Sequence, residues 1–193
     1  MRKRELQLKT LAEKAQGCSR CPLHRGRTHV VYGEGPAAAS AMLVGEAPGR
    51  AEDEGGRPFI GRTGSFFRKM LASCDLPSEE LYITSAVKCR PPGNRDPKKD
   101  ELTACRSAWL EKQIELIDPP LILVLGKCAA VQMLDWRGSL KELRGGFHSR
   151  QGRWLQVTYH PTAAMRFPKI REDFRKDLQR FGRNLAHSQN SNR

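Results

Sequence analysis

Apolar positions fall into short, nearly continuous runs separated by segments in which they recur every three or four residues. The runs Ser40–Gly45 (SAMLVG), Leu81–Val87 (LYITSAV), Leu121–Leu125 (LILVL) and Trp154–Tyr159 (WLQVTY) have the length and β-branched content of buried strands. Between them, Gly64–Cys74, Asp100–Ile117 and Lys127–Leu134 carry apolar residues at helical spacing, as do residues 5 to 16 and a long basic stretch near 169 to 185. Strands without polar alternation, each followed by an amphipathic helix, predict a parallel sheet covered on both faces. The expected fold class is therefore α/β, a three-layer α/β/α sandwich around a four-stranded parallel sheet. One domain is predicted over residues 1–185, and the polar, aperiodic 186–193 (AHSQNSNR) reads as a flexible tail.

In a parallel sheet, ligand sites form outside the carboxyl ends of the strands. The groups predicted there are Gly45–Gly49 (GEAPG) after the first strand, Ser85–Cys89 at the second, Gly126 after the third and His160-Pro161 after the fourth. Charge adds a second constraint. The 34 basic residues exceed the 21 acidic ones by 13, and self-repulsion of that size is expected where the partner is a polyanion. The longest apolar runs are far too short to span a bilayer, and the basic start Arg2-Lys3-Arg4 leads into the amphipathic ELQLKTLAEKAQ rather than an apolar export segment. No membrane partner and a cytoplasmic, monomeric protein are expected.

Six cysteines in such a chain point to metal binding or inert burial rather than disulfides. Cys18 and Cys21 form a C-x2-C; Cys89 and Cys105, in a second segment, have fifteen residues between them. Four thiolates from two distant segments suit a [4Fe-4S] cluster, a zinc ion with one atypically wide pair, or no metal, and spacing alone leaves all three open. Cys74 and Cys128, in helical apolar contexts, read as buried structural thiols.

Three blocks, Val44–Gly64 (VGEAPGRAEDEGGRPFIGRTG), Tyr82–Pro97 (YITSAVKCRPPGNRDP) and Tyr159–Pro168 (YHPTAAMRFP), together with the C-x2-C, resemble the family 4 uracil-DNA glycosylases, the iron-sulfur branch of their superfamily. The resemblance covers about residues 10 to 182 and places each block on a strand end. It implies a [4Fe-4S] cluster on Cys18, Cys21, Cys89 and Cys105, with a structural role because base excision transfers no electrons. It implies that DNA containing uracil is the substrate and that the base is rotated out of the helix into a pocket. Phe59 would stack on it, and His160 would stabilise the charge developing at O2. Backbone amides of Gly45, Glu46 and Ala47 would line the pocket, and Glu46 would orient water or stabilise the sugar cation. Glu52 would stand near C5 and exclude the thymine methyl. Met165 and Arg166 would enter the helix beside the vacated base position.

Ser85 departs from the family pattern, which has an asparagine there. A hydroxyl cannot reproduce an amide that both donates and accepts on the Watson-Crick edge. The sequence thus implies a monofunctional uracil-DNA glycosylase, with two alternatives: altered or broadened deaminated-base specificity through Ser85, or a non-catalytic iron-sulfur module that binds damage. CRPPGNRDP has neither the inserted loop nor the histidine of the covalently trapping branch. Arg150, Arg153, Lys169, Arg171, Arg175, Lys176, Arg180 and Arg183 are candidates for phosphate contact.

Overall fold

The structure is a computed structural model that describes residues 2–136 and 138–190, without the side chains of 188–190. Its sheet contains β1 (Ala41–Gly45), β2 (Leu81–Ser85), β3 (Leu121–Leu125), β4 (Phe147–Arg150) and β5 (Arg153–Thr158), in the order β2-β1-β3-β5-β4. The four expected strands pair in parallel. The sheet is nonetheless five-stranded, because β4 adds an antiparallel edge to β5. The expectation of four strands missed it for a physical reason. FHSR is polar and half exposed, as an edge strand can be. A two-residue turn, Gln151-Gly152, with φ of 49° and 75°, makes the reversal.

Period-two alternation assigns each strand residue to one of two helical layers. Ala41, Leu43, Leu81, Ile83, Leu121 and Leu123 face α3 (Arg62–Ala72) and α9 (Pro168–Asn190), packing on Phe67, Leu71, Phe174, Leu178 and Phe181. Met42, Val44, Tyr82, Ile122, Val124 and Val157 face the opposite layer, where Leu110, Ile114, Ala129, Ala130 and Met133 meet them. That layer includes one long helical run: α4 (Lys99–Cys105), a π-helical turn over Arg106–Leu110 and α5 (Glu111–Ile117), followed after β3 by α6 (Lys127–Leu134). A third cluster joins Ala15 of α1 (Arg2–Gln16) to Val30, Tyr32, Val87, Leu102 and Trp109. The expected α/β/α sandwich is thus observed.

α9 continues to Asn190, so residues 186–190 of the expected tail are helical; each added residue closes one more backbone hydrogen bond on an existing helix. Residues 191–193 lie outside the described residues. No helix among the described residues is long and apolar enough to cross a membrane.

Register aligns the strand ends. Gly45 lies beside Ser85 and Leu125 beside Thr158, so the segments leaving β1, β2, β3 and β5 emerge at one rim. Because Phe174 is fully buried at the centre of the α9 layer, Phe174→Ala is expected to cost about 3–5 kcal/mol, measured as a lowered urea midpoint.

Candidate active site and cysteine cage

A cavity of about 560 Å³ opens at this rim, where strand order reverses between β1 and β3. Glu46, Ala47, Glu52, Phe59, Ser85 and His160 all line it, so six of the expected pocket residues converge from segments far apart in sequence, and Arg166, expected to contact DNA, lines it as well. Gly45 and Met165 do not line it.

Gly45 acts through its missing side chain. A Cβ there would lie 2.7 Å from Cζ of Phe59, so the ring rests on bare backbone at the end of β1. Phe59 itself has a left-handed φ of 52°, and Gly64 on α3 allows the approach, since a Cβ at 64 would come within 2.1 Å of the Phe59 carbonyl. Arg68 holds this conformation by donating to the carbonyls of Pro58 and Phe59, both at 3.2 Å, while pairing with Glu34 at 2.5 Å. The Phe59 ring packs on Phe67 at 5.0 Å and faces the His160 ring at 6.4 Å, tilted by 32°.

Glu52 belongs to α2 (Arg50–Gly55), and its carboxylate accepts from the amides of Gly49 at 3.2 Å, Ile60 at 3.0 Å and Gly61 at 2.8 Å. It ties the GEAPG loop to the turn that carries Phe59. The same bonds fix the carboxylate in the cavity wall, which Glu52 lines.

His160 caps α8 (Pro161–Arg166). Its Nδ1 accepts from the Thr162 amide at 3.3 Å and lies 3.0 Å from the Thr162 hydroxyl. An amide can only donate, so Nδ1 carries the lone pair and the ring proton sits on Nε2. Burial pulls the imidazole from 6.5 to about 4, which leaves it neutral at physiological pH. Gly126, with φ of 89°, lets β3 end against this residue, because a Cβ would lie 2.9 Å from that of His160. No sequence motif singles out Thr162 as a site residue. Its signal was a hydroxyl residue two positions after the histidine, at a Pro-marked helix start.

Glu46 is partly buried, and burial raises its carboxyl above the ordinary range. It accepts a hydrogen bond from the Cys128 thiol, which burial and the neighbouring carboxylate push up to about 12. Cys128 is therefore not the inert core thiol expected from its apolar context. It begins α6 beside the cavity, and its sulfur lies within 4.8 Å of carboxylate oxygens of both Glu46 and Asp96. Cys74 is buried, as expected.

Ser85 is 4% exposed and lines the cavity, and its carbonyl accepts from Lys88 Nζ at 2.7 Å. Asn94, Arg95 and Phe167 also line the rim, and no sequence motif assigns them a role. Arg95 is fixed by both oxygens of buried Glu101, at 2.7 and 2.8 Å. Phe167 is 49% exposed at the mouth and follows Arg166. By contrast, Arg150 and Arg153 sit at the β4–β5 turn, at the amino end of β5 and away from the cavity, where Arg153 pairs with Asp118 at 2.6 Å.

Cys18, Cys21, Cys89 and Cys105 gather around one recess under Trp109, all unpaired in disulfides. Burial raises the thiols of Cys21 and Cys89, and that of Cys105 to about 12. N–H groups point at the sulfurs: Trp109 Nε1 donates to Cys18 at 3.2 Å and Arg27 Nη1 to Cys89 at 3.5 Å. Four converging sulfurs with directed donors fit a group held by thiolates. The loop between Cys89 and Cys105 also supplies Asn94 and Arg95 to the cavity, so the recess and the cavity share a wall.

Residues 32–182 match the uracil DNA glycosylase superfamily. The chain is 39% identical over 184 residues to a type-4 uracil-DNA glycosylase of Pyrobaculum aerophilum, covering 91% of this chain and 93% of that protein. It is 39% identical over 182 residues to a type-4 uracil-DNA glycosylase of Sulfurisphaera tokodaii, covering 88% and 82%. A type-4 uracil-DNA glycosylase of Archaeoglobus fulgidus is 37% identical over 183 residues, covering 91% and 92%.

The low His160 pKa has a sign that can be measured. As pH falls from 6.5 towards 4, an unfolded chain takes up the imidazole proton and the folded one does not, so stability should decline across that window and level off below it. Histidine ring shifts followed by NMR should show His160 neutral throughout pH 5–8, a range in which an ordinary imidazole titrates about half-way at pH 6.5. A normal titration there would contradict the assigned tautomer and burial.

Proposed function

The chain belongs to the type-4 branch of the uracil-DNA glycosylase superfamily, and on that premise we propose that it excises uracil from DNA by hydrolysing the N-glycosidic bond, as a monomeric, monofunctional repair enzyme in the cytoplasm. The observation that carries the reading is the pairing of an aromatic floor with a neutral imidazole donor in one cavity at the strand ends.

A flipped uracil stacks on Phe59, with stacking worth about 1–3 kcal/mol. As the bond between C1′ and N1 breaks, its electron pair passes into the base and concentrates at O2. His160 Nε2–H hydrogen-bonds that oxygen. A neutral donor suits this step because it stabilises the anion without having to part with a proton, and a pKa near 4 keeps it so. The uracil leaves as an anion and is protonated from solvent. On the sugar side, the Glu46 carboxylate stabilises the cationic ring, orients water towards C1′ and receives the proton released as the new C–O bond forms. The Ser85 hydroxyl faces the Watson-Crick edge with one donor, where an amide would offer two complementary contacts. Glu52 holds the two pocket loops together through its three backbone donors and, from its place in the cavity wall, stands near C5 to exclude the thymine methyl. Among the described residues no lysine lines the cavity to act as a Schiff-base nucleophile.

At the mouth, Arg166 and Lys169 engage phosphates, and an apolar side chain fills the gap in the helix. Phe167 is better exposed for that wedge than Met165, which is partly buried. Cys18, Cys21, Cys89 and Cys105 hold a [4Fe-4S] cluster, which when bound supplies a structural tie between the N-terminal segment and the Cys89–Cys105 loop.

Labelled oligonucleotides carrying one uracil, hypoxanthine, xanthine or thymine, treated with protein and then alkali, test the activity. Only the uracil strand should be cut, and His160→Ala should lower kcat about 10²–10³-fold. DNA binding with every strand intact would leave a damage-binding module instead. Because Glu46 acts ionised, the rate should fall as pH drops through its raised pKa, and Glu46→Gln should remove that acid limb along with most of the rate. Purified protein should be brown, with absorbance near 400 nm (roughly, for iron-sulfur charge transfer).

A further inference from the structure

Between the cysteine recess and the base cavity lies one ionisable side chain that the mechanism leaves without a role. Lys88 is 1% exposed, and its Nζ donates to Thr84 Oγ1 at 2.6 Å and to the Ser85 carbonyl at 2.7 Å. The Lys88 carbonyl accepts from the Val31 amide at 2.8 Å, and Val31, like Ser85, lines the cavity. Thr84 passes the contact inward, donating to the Tyr32 carbonyl at 2.8 Å, which also accepts from Gln113. On its other side, Lys88 lines the recess that holds the four cysteines. No ion pair among the described residues gives Lys88 a carboxylate; the Tyr32 ring, 6.0 Å away, and the sulfurs of Cys89 and Cys105 are its electrostatic neighbours.

A buried ammonium with two neutral acceptors and no anion is costly. Four thiolates around a metal cluster carry net negative charge, so an occupied recess supplies what the lysine otherwise lacks. We propose that Lys88 is the counter-cation of the cysteine cage and that the same ammonium group braces Ser85 in the wall of the base cavity. The first half rests on the cage holding an iron-sulfur cluster; the second rests on the hydrogen bonds and on the proposed reading of Ser85 as a base contact. Through one side chain, the occupied cage fixes the position of a base-contacting residue. A lysine serving only as a neutral hydrogen-bond filler would have no such effect on the cage.

Cluster-loaded wild type, Lys88→Met and Lys88→Gln separate the two roles. Lys88→Met should lose its absorbance near 400 nm under chelator about tenfold faster than wild type, shift the cluster potential in the negative direction and raise KM for a uracil oligonucleotide more than it lowers kcat. Lys88→Gln keeps a donor without the charge, so KM should return towards wild type while the potential stays shifted. Wild-type cluster lifetime and potential in both variants would overturn the counter-cation, and unchanged KM in Lys88→Met would overturn the brace. Wild-type protein lacking iron would remove the cage reading itself and leave the KM comparison standing as the test of the brace. A measurement needing no variant is hydrogen exchange on wild type before and after chelation. Amides of residues 84–87 should lose protection while those of β3 keep it; unchanged protection at 84–87 would overturn the coupling.

Discussion

The active-site geometry depends on one close approach, the Phe59 ring lying against the bare backbone of Gly45. It requires three things that no single segment provides: a left-handed backbone at Phe59, no side chain at Gly64 beneath its carbonyl, and no side chain at Gly45 beneath its ring. The resulting strain is held by Arg68 on the two carbonyls and by Glu52 across the two loops. Once the ring is fixed, its distance and tilt to His160 are fixed as well, and the cavity between them takes its shape. The parallel register matters because it brings Gly45, Ser85 and the residues after Thr158 to one level.

Electrostatics divides the work between residues of similar appearance. Three carboxylates near the cavity have three different tasks. Glu52 is spent on backbone amides, Glu101 on Arg95, and Glu46 retains a raised pKa and a free face towards the cavity. The histidine is kept neutral by burial and given a defined tautomer by an amide two residues on. This arrangement fits chemistry in which charge appears on the leaving base and must be met by a donor already in place.

The four-cysteine region is more than a remote staple. Its second cysteine pair brackets the loop that forms one wall of the cavity, and Lys88 connects the recess to Ser85 across the remaining distance. The π-helical turn at Arg106–Leu110, immediately after Cys105, belongs to the same adaptation: it contains Trp109, whose ring nitrogen donates to Cys18.

The layered α/β fold was legible in the sequence because buried parallel strands are apolar throughout and their helices are periodic. The convergence of Glu46, Ser85 and His160 was equally legible, since strand ends of a parallel sheet share a rim, and the family resemblance added Phe59. β4 was not, because a half-exposed edge strand has no apolar signature. Nor were the partners that give each site residue its chemistry. Cys128 looked like a core thiol and Arg153 like a phosphate contact, until contacts made across tens of residues assigned them otherwise. Sequence determined which residues reach the rim, for local pattern and strand polarity decide that. Which of them are free to act was decided by the tertiary structure, because hydrogen bonding, burial and charge partners are set by neighbours distant along the chain.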